Sequence, residues 1–313
     1  DMRRCLSLIV PTRGRPAKLR RMLDSVAATA YHPERLEVVL VIDADDPASA
    51  VTHPRLKVRH VVVPPGRTMG ALNSAGYEAS TGDYVMLLND DVTARTPGWD
   101  ALVFGCLRRF PDPFALVHVN DTLMRDNLCV FPLVSRAFCE LAGGICPPCY
   151  HRYRIDDHIE DAFNLLAVLG ERRIVYLPDV IFEHDNAVQH PEAGVVYMSD
   201  PAVLALDAPL FDALLPERKE LALRLRAVIE GWTNSTAEGE WRATLAAVGH
   251  SFDVRTPGRQ IVIRRPWWRP VRESLAALTR LINCARRKNA SGFVRAVRNR
   301  LARPALTPGS RME

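Results

Sequence analysis

The sequence predicts an α/β fold, a mostly parallel sheet flanked by helices, followed by a mainly helical C-terminal extension. Three features predict it. Short apolar runs recur through the first half, as strands covered on both faces require. Between them lie stretches with apolar residues at helical spacing. After about residue 216 helical stripes take over.

The elements follow in order. Cys5 to Val10 is a short buried strand ended by Pro11. Pro16 suits the first turn of a helix, and Leu19, Met22, Leu23 and Val26 give that helix one apolar stripe. Glu37 to Ile42 is a second strand, and Val58 to Val63 a third, stopped by Pro64-Pro65-Gly66. Thr68 caps a helix reaching Ser80, with Gly82 just past its end. A fourth strand, Tyr84 to Leu88, runs into Asn89-Asp90-Asp91. The order strand, helix, strand, strand, helix, strand implies parallel pairing.

The middle is less regular. Thr96-Pro97 opens a helix, strands follow near 114–119 and 129–134, and Gly143 to Tyr150 reads as loop. Ile159 to Leu169 is a helix ended by Gly170, and Arg173 to Leu177 a further strand from which Pro178 to His184 leads away. Leu221, Leu225, Val228, Ile229 and Trp232 form one later stripe, and Val271, Leu275, Leu278 and Ile282 another.

Composition narrows the function classes. With 313 residues, 48% apolar and 25% charged, the chain has the balance of a globular protein with one large domain and an appendage. No apolar run approaches the roughly 18–20 residues that span a bilayer, and the start does not read as a signal peptide. A cytoplasmic location, peripheral on the inner face of the membrane, is the expectation. Seven scattered cysteines argue against a disulfide framework. Cys146-Pro-Pro-Cys149, with His151 just beyond, has metal or redox spacing but no second pair, so reduced loop thiols are expected. The net charge of +5 hides an asymmetry: residues 264–303 hold twelve Lys or Arg against Glu273 alone, so the body is slightly acidic.

In a parallel sheet, ligands collect at the carboxyl ends of strands. Three strands here end in polar groups suited to a nucleotide: Pro11-Thr12-Arg13-Gly14-Arg15, Asp43-Ala44-Asp45-Asp46 and Asn89-Asp90-Asp91. Each alone is also what an ordinary turn looks like. A leaving diphosphate needs its charge neutralised, and a hard divalent cation on one or two carboxylates does so. Asp91, at the mouth of an apolar strand, suits that ligand role. Glu160-Asp161 sits at an expected helix start, where the dipole favours ionised carboxylates, and a ready carboxylate suits a general base. Asp156-Asp157-His158 is the rival cluster for base or metal.

Residues 5 to 185 resemble the family 2 glycosyltransferases of GT-A fold. The likeness is carried by Pro11–Arg13, by Val41-Ile42-Asp43, and by Gly70-Ala-Leu-Asn73-Ser-Ala-Gly76 with Ser80 to Asp91. Ile159-Glu160-Asp161, Gly170, Tyr176-Leu-Pro178 and His184 continue it. The resemblance implies a GT-A domain over 1–190 and a helical extension over 191–313. It implies a metal-dependent, inverting transfer of a sugar from a nucleotide diphosphate donor, a UDP-sugar favoured, to a carbohydrate or lipid-linked hydroxyl. Asp43 and Thr12 would bind the base, Asn73 the nucleotide and Asp90 the ribose or phosphates, with Pro11, Arg13, Arg67 and Asn89 completing the donor site. Asp91 and His184 would meet a Mn or Mg ion. Asp161, beside Glu160, would be the catalytic base. The sequence departs from the pattern at Asn89, where the family's metal motif begins with aspartate, and at Phe163 and Leu166, where a second acid and an arginine often stand.

Two alternatives use the same residues. A sugar-nucleotide nucleotidyltransferase needs a glycine-rich basic loop, which Pro11 to Pro16 only approximates. A non-catalytic GT-A-like binding or scaffold protein at a membrane surface would fit Asn89. The basic tail, with Trp267 and Trp268 ahead of its apolar stripe, suits an anionic membrane surface. The same stripe also suits packing on the domain. Nothing in the tail marks a nucleic-acid module.

Overall fold

A computed structural model of the chain describes residues 4–184, 200–231, 235–249 and 260–264, all within one unit, Asp1–Arg264. The basic tail beyond 264, the stripe from Val271, Trp232 and the segment 185–199 lie outside the described residues.

The first half builds the expected parallel core. Strands β1 (Leu6–Thr12), β2 (Leu36–Asp43) and β3 (Lys57–Val63) pair in parallel, and β4 (Tyr84–Leu87) joins β1 on its other side. β1 and β2 are buried almost throughout, which is why their sequences do not alternate. Register puts Thr12 opposite Ile42 and Ile9 opposite Leu87, so Thr12, Asp43 and Asn89 leave the sheet along one edge.

Helices cover both faces. On one side α1 (Pro16–Thr29) contributes Leu19, Met22, Leu23 and Val26, and α3 (Trp99–Leu107) contributes Trp99, Val103 and Phe104. On the other lie α2 (Met69–Ala79), α4 (Arg136–Ala142), α5 (Ile155–Val168) and α7 (Leu215–Glu230). The Thr68 cap forms as expected, its hydroxyl accepting the Ala71 amide at 3.2 Å. α6 (Pro201–Ala213) precedes α7, and α8 (Ser235–Ala246) follows it.

The second half differs from expectation in specific ways. Among the described residues the sheet has nine strands, in the order β3-β2-β1-β4-β7-β6-β8-β5 with β9 (Gln260–Val262) on β8. β7 (Leu133–Ser135) is antiparallel to β4 and to β6 (Leu116–Asn120). The apolar stretch 129–134 thus yields only a short strand, because Ser135 caps α4 by accepting the Phe138 amide. β5 (Val92–Ala94) is not among the expected strands, and the long β8 (Ile174–His184) is expected only as far as Leu177. β8 does not end at Leu177, because it continues past a register shift to pair with β5. α5 starts at Ile155 instead of Ile159, one turn early, because Ile155 is buried on the same face as Ile159, Ala162, Phe163 and Leu166.

Candidate active site

A cavity of about 540 Å³ opens at the carboxyl edge of the sheet. Its lining includes Pro11, Arg15, Asn73, Asn89-Asp90-Asp91 and His184, together with Asp121 and Arg152 to Asp157.

The metal-side residues are placed by strand ends. Asp90 and Asp91 follow β4 and are almost fully buried. Thr12 Oγ1, at the end of β1, donates to Asp90 Oδ2 at 2.8 Å. β8 pairs His184 opposite Val92, so the imidazole arrives beside Asp91, with Nε2 3.3 Å from Asp91 Oδ1 and 3.1 Å from Asn89 Nδ2. Arg15 enters from the start of α1. Its Nη2 lies 2.7 Å from Asp90 Oδ1 and its Nη1 3.1 Å from Asp91 Oδ2. Burial pushes the Asp90 carboxyl above its ordinary range, more than Arg15 and the Thr12 hydrogen bond offset. Asp91 shares that burial, but the hydrogen bond and charge of His184, with Arg15, carry its carboxyl below the ordinary range.

These residues fit a divalent cation. Asp90 Oδ1 and Asp91 Oδ1 are buried without a hydrogen bond of good geometry, and two carboxylates with an imidazole are donors that Mn²⁺ accepts. Among the described residues no three His, Cys, Asp or Glu side chains gather so as to hold a metal ion by themselves. Such partial sites are the kind that substrate phosphates complete.

The other expected donor residues are distributed unevenly. Asn73, on α2, is buried and lines the cavity with Pro11 and Asn89. Asp43 and Arg13 form an ion pair at 2.6 Å outside its lining, and Arg13 also holds Asp45 at 2.8 Å. Asp46 accepts the amide of Gly14, whose φ of +68° needs glycine. The acidic turn 43–46 is therefore a clamp on the loop after β1. Arg67 is exposed on the loop after β3 and does not line the cavity.

The expected base is not brought to the cavity. Asp161 lies in the second turn of α5, 2% exposed, and its Oδ2 accepts Arg218 Nε from α7 at 2.6 Å. Arg218 is itself buried, donates to Phe211 O at 2.7 Å and stacks on the Phe211 ring. Glu160 faces inward too, its Oε2 accepting the Cys129 amide at 2.9 Å. The helix starts one turn before the expected Ile159. The first turn carries Asp156 and Asp157, which do line the cavity. Burial raises both carboxyls. The neighbouring Asp157, Glu160 and Asp121 add to the effect at Asp156, whereas Arg154, 3.6 Å away, opposes it at Asp157.

The loop before α5 is fastened at several points. Asp207, on α6, accepts the amides of His151, Arg152 and Tyr153 at 2.8–2.9 Å. The carbonyls of His151 and Tyr150 take the first amides of α2, from Met69 and Gly70, at 2.9 Å, and Pro148 O accepts the Thr68 hydroxyl at 2.6 Å. A side chain at Gly70 would collide with Pro147 O. His158 is buried, bonded through Nδ1 to the Tyr150 hydroxyl at 3.0 Å, and burial drives its pKa down to about 3. It is a neutral packing residue. The lining residues missed from the sequence include Asp121 and Arg154, whereas Arg15 was read only as part of the polar loop after the first strand.

Among solved structures, the chain is similar to a mannosyltransferase from Pyrobaculum calidifontis in complex with GDP-Man and Mn²⁺, at 21% identity over 78% of this chain and 80% of that one, TM-score 0.48. It is similar to TarS 1–349 from S. aureus in complex with UDP-GlcNAc, at 12% identity over 77% and 79%, TM-score 0.48. A glucosyl-3-phosphoglycerate synthase from Mycobacterium tuberculosis with Mn²⁺, UDP and phosphoglyceric acid gives 15% identity over 69% and 78%, TM-score 0.47. No curated protein matches the chain. Residues 7–103, which hold Thr12, Asp43, Asn73 and Asn89-Asp90-Asp91, match the model described as Glycosyl transferase family 2.

Proposed function

We propose that this chain transfers a sugar from a nucleotide diphosphate donor to an acceptor hydroxyl with inversion at the anomeric carbon, and that Asp157, instead of Asp161, is the base. One observation carries the reading: a single cavity is lined both by Asn73, Asp90, Asp91 and His184 and by the first turn of α5. Asp91 and His184 would hold a Mn or Mg ion, which when bound supplies positive charge beside the departing diphosphate. The chain's own residues do the rest. Asn73 and Pro11 border the nucleotide, and Asp157 takes the acceptor proton as that oxygen bonds to the anomeric carbon. The bond to the diphosphate breaks, and its electron pair leaves with the nucleoside diphosphate. A donor of α configuration gives a β-linkage. Arg154 supports the role of Asp157, because its guanidinium favours the ionised form that a base needs, while burial keeps the pKa high enough to accept a proton.

The test is a donor panel of UDP- and GDP-sugars with Mn²⁺ or Mg²⁺, read by thermal shift and by nucleoside diphosphate release. Stabilisation by one donor, strengthened by metal and lost in Asp91→Ala, is the expected result. Pyrophosphate release from a nucleoside triphosphate and a sugar phosphate would replace this reading with the nucleotidyltransferase.

The basic segment 264–303 supports a lipid-linked acceptor at an anionic membrane surface, each basic residue contributing roughly 1 kcal/mol there. Flotation of the full chain with anionic liposomes at low salt checks it, and a chain that stays with neutral and anionic vesicles alike removes it. Among the described residues no helix is long and apolar enough to cross a membrane.

A further inference from the structure

Arg15 stands where a cation is wanted. It bridges Asp90 Oδ1 at 2.7 Å and Asp91 Oδ2 at 3.1 Å, contacting both carboxylates of the strand end at once. The two acids are nearly inaccessible, with side chains 0% and 4% exposed, while Arg15 remains 35% exposed on the cavity wall. Adjacent buried carboxylates repel unless a positive charge lies between them. A guanidinium fork supplies that charge to two oxygens simultaneously. The backbone places it there: Gly14, in the left-handed region, turns the chain after β1, and Pro16 then starts α1.

We propose that Arg15 is an internal competitor of the divalent cation, neutralising Asp90 and Asp91 in the free enzyme and opposing metal binding until the ion displaces its fork. This rests on the metal reading of the site given above. It makes Arg15 a positioning residue that sets the threshold for metal. A cation arriving alone must displace a guanidinium and receives only the Asp91 carboxylate and the His184 imidazole in return. The free enzyme therefore binds metal weakly, and a diphosphate arriving with the ion favours the exchange twice, by adding ligands to the ion and by offering the released guanidinium an anion.

The experiment is Mn²⁺ binding to the full chain without donor, read by electron paramagnetic resonance, for the wild type, Arg15→Gln, Arg15→Lys and Asp91→Asn. Arg15→Gln is expected to bind Mn²⁺ at least about tenfold tighter than wild type, with Arg15→Lys between them, because lysine keeps the charge and loses the fork. Mn²⁺ should also raise the melting temperature of Arg15→Gln more than that of wild type. This second readout compares each protein with itself, so a destabilised variant remains informative. Equal or weaker Mn²⁺ binding by Arg15→Gln, with Asp91→Asn still abolishing it, overturns the competitor role and leaves the metal site standing. Mn²⁺ bound by none of the four proteins overturns the metal reading and this inference with it.

Discussion

Helix α5 carries acids in two successive turns, and the two turns live in different media. Asp156 and Asp157 stand in the first turn and line the cavity. Glu160 and Asp161 stand one turn later and are enclosed, the one on the Cys129 amide and the other on Arg218. The residue types are alike, and so is their i, i+4 spacing. What separates them is depth: about 6 Å along the axis takes a carboxylate from a cavity wall to the contact between two helices. A carboxylate bonded to a buried arginine is fixed in place. One that faces a cavity can exchange protons with what enters.

Exchange experiments across the two turns test this contrast. The largest effect expected is on turnover: Asp157→Asn should slow transfer by about 10²–10⁴-fold with little change in melting temperature. Full turnover in that variant would return the base to another acid.

The reverse signature is expected at the deeper turn. Arg218→Met strands a buried carboxylate and should cost roughly 3–5 kcal/mol of stability in chemical denaturation, while Asp161→Leu with Arg218→Met should recover most of the loss. If the double variant is no more stable than the single, the pair is not what the deeper turn depends on.

A smaller effect concerns pH. The Asp156 carboxyl is raised well above 3.8 by burial and by Asp157, Glu160 and Asp121. A carboxyl raised on folding contributes stability that is fully present below 3.8 and lost as pH climbs through its raised value. Asp156→Asn should therefore gain on wild type in melting temperature between pH 4 and pH 8. Parallel curves would show that the first turn is wetter than the structure has it. Turnover, which needs Asp157 ionised, should fall as pH drops through the raised Asp157 value.

The smallest effect is expected at Glu160. Glu160→Gln keeps an acceptor for the Cys129 amide and should cost less than about 1 kcal/mol with turnover unchanged. A rate loss there would bring the deeper turn back into the chemistry.

The parallel half of the fold was legible because each strand is covered on both faces and each helix shows one stripe, so a local pattern suffices. Asp91 and His184 meet as expected, although their meeting depends on β8 running on to pair with β5, which no local signal announced. The start of α5 was placed a turn late for a physical reason. An acid pair before an apolar stretch looks like a helix start, yet Ile155 shows that the stripe begins a turn earlier. Arg218, the partner of Asp161, lies 57 residues away in sequence, and no spacing rule connects them. Arg15 was visible as a residue after the first strand, but its bridge to Asp90 and Asp91 is purely tertiary.

The seating of the 147–151 loop on α2 bears on how this enzyme could be re-engineered or could diverge. The loop takes the helix's first amides with its own carbonyls and passes so close that Gly70 has no room for a methyl group. A loop exchanged as a cassette must bring its contacts with it. Here the cassette has a distant second half. A transplanted loop that follows the same path requires glycine at position 70, and one that follows another path leaves two helix amides without acceptors. Swaps that ignore α2 should yield insoluble chimaeras, and productive ones should carry Thr68 to Gly70 and the loop together as one heritable unit.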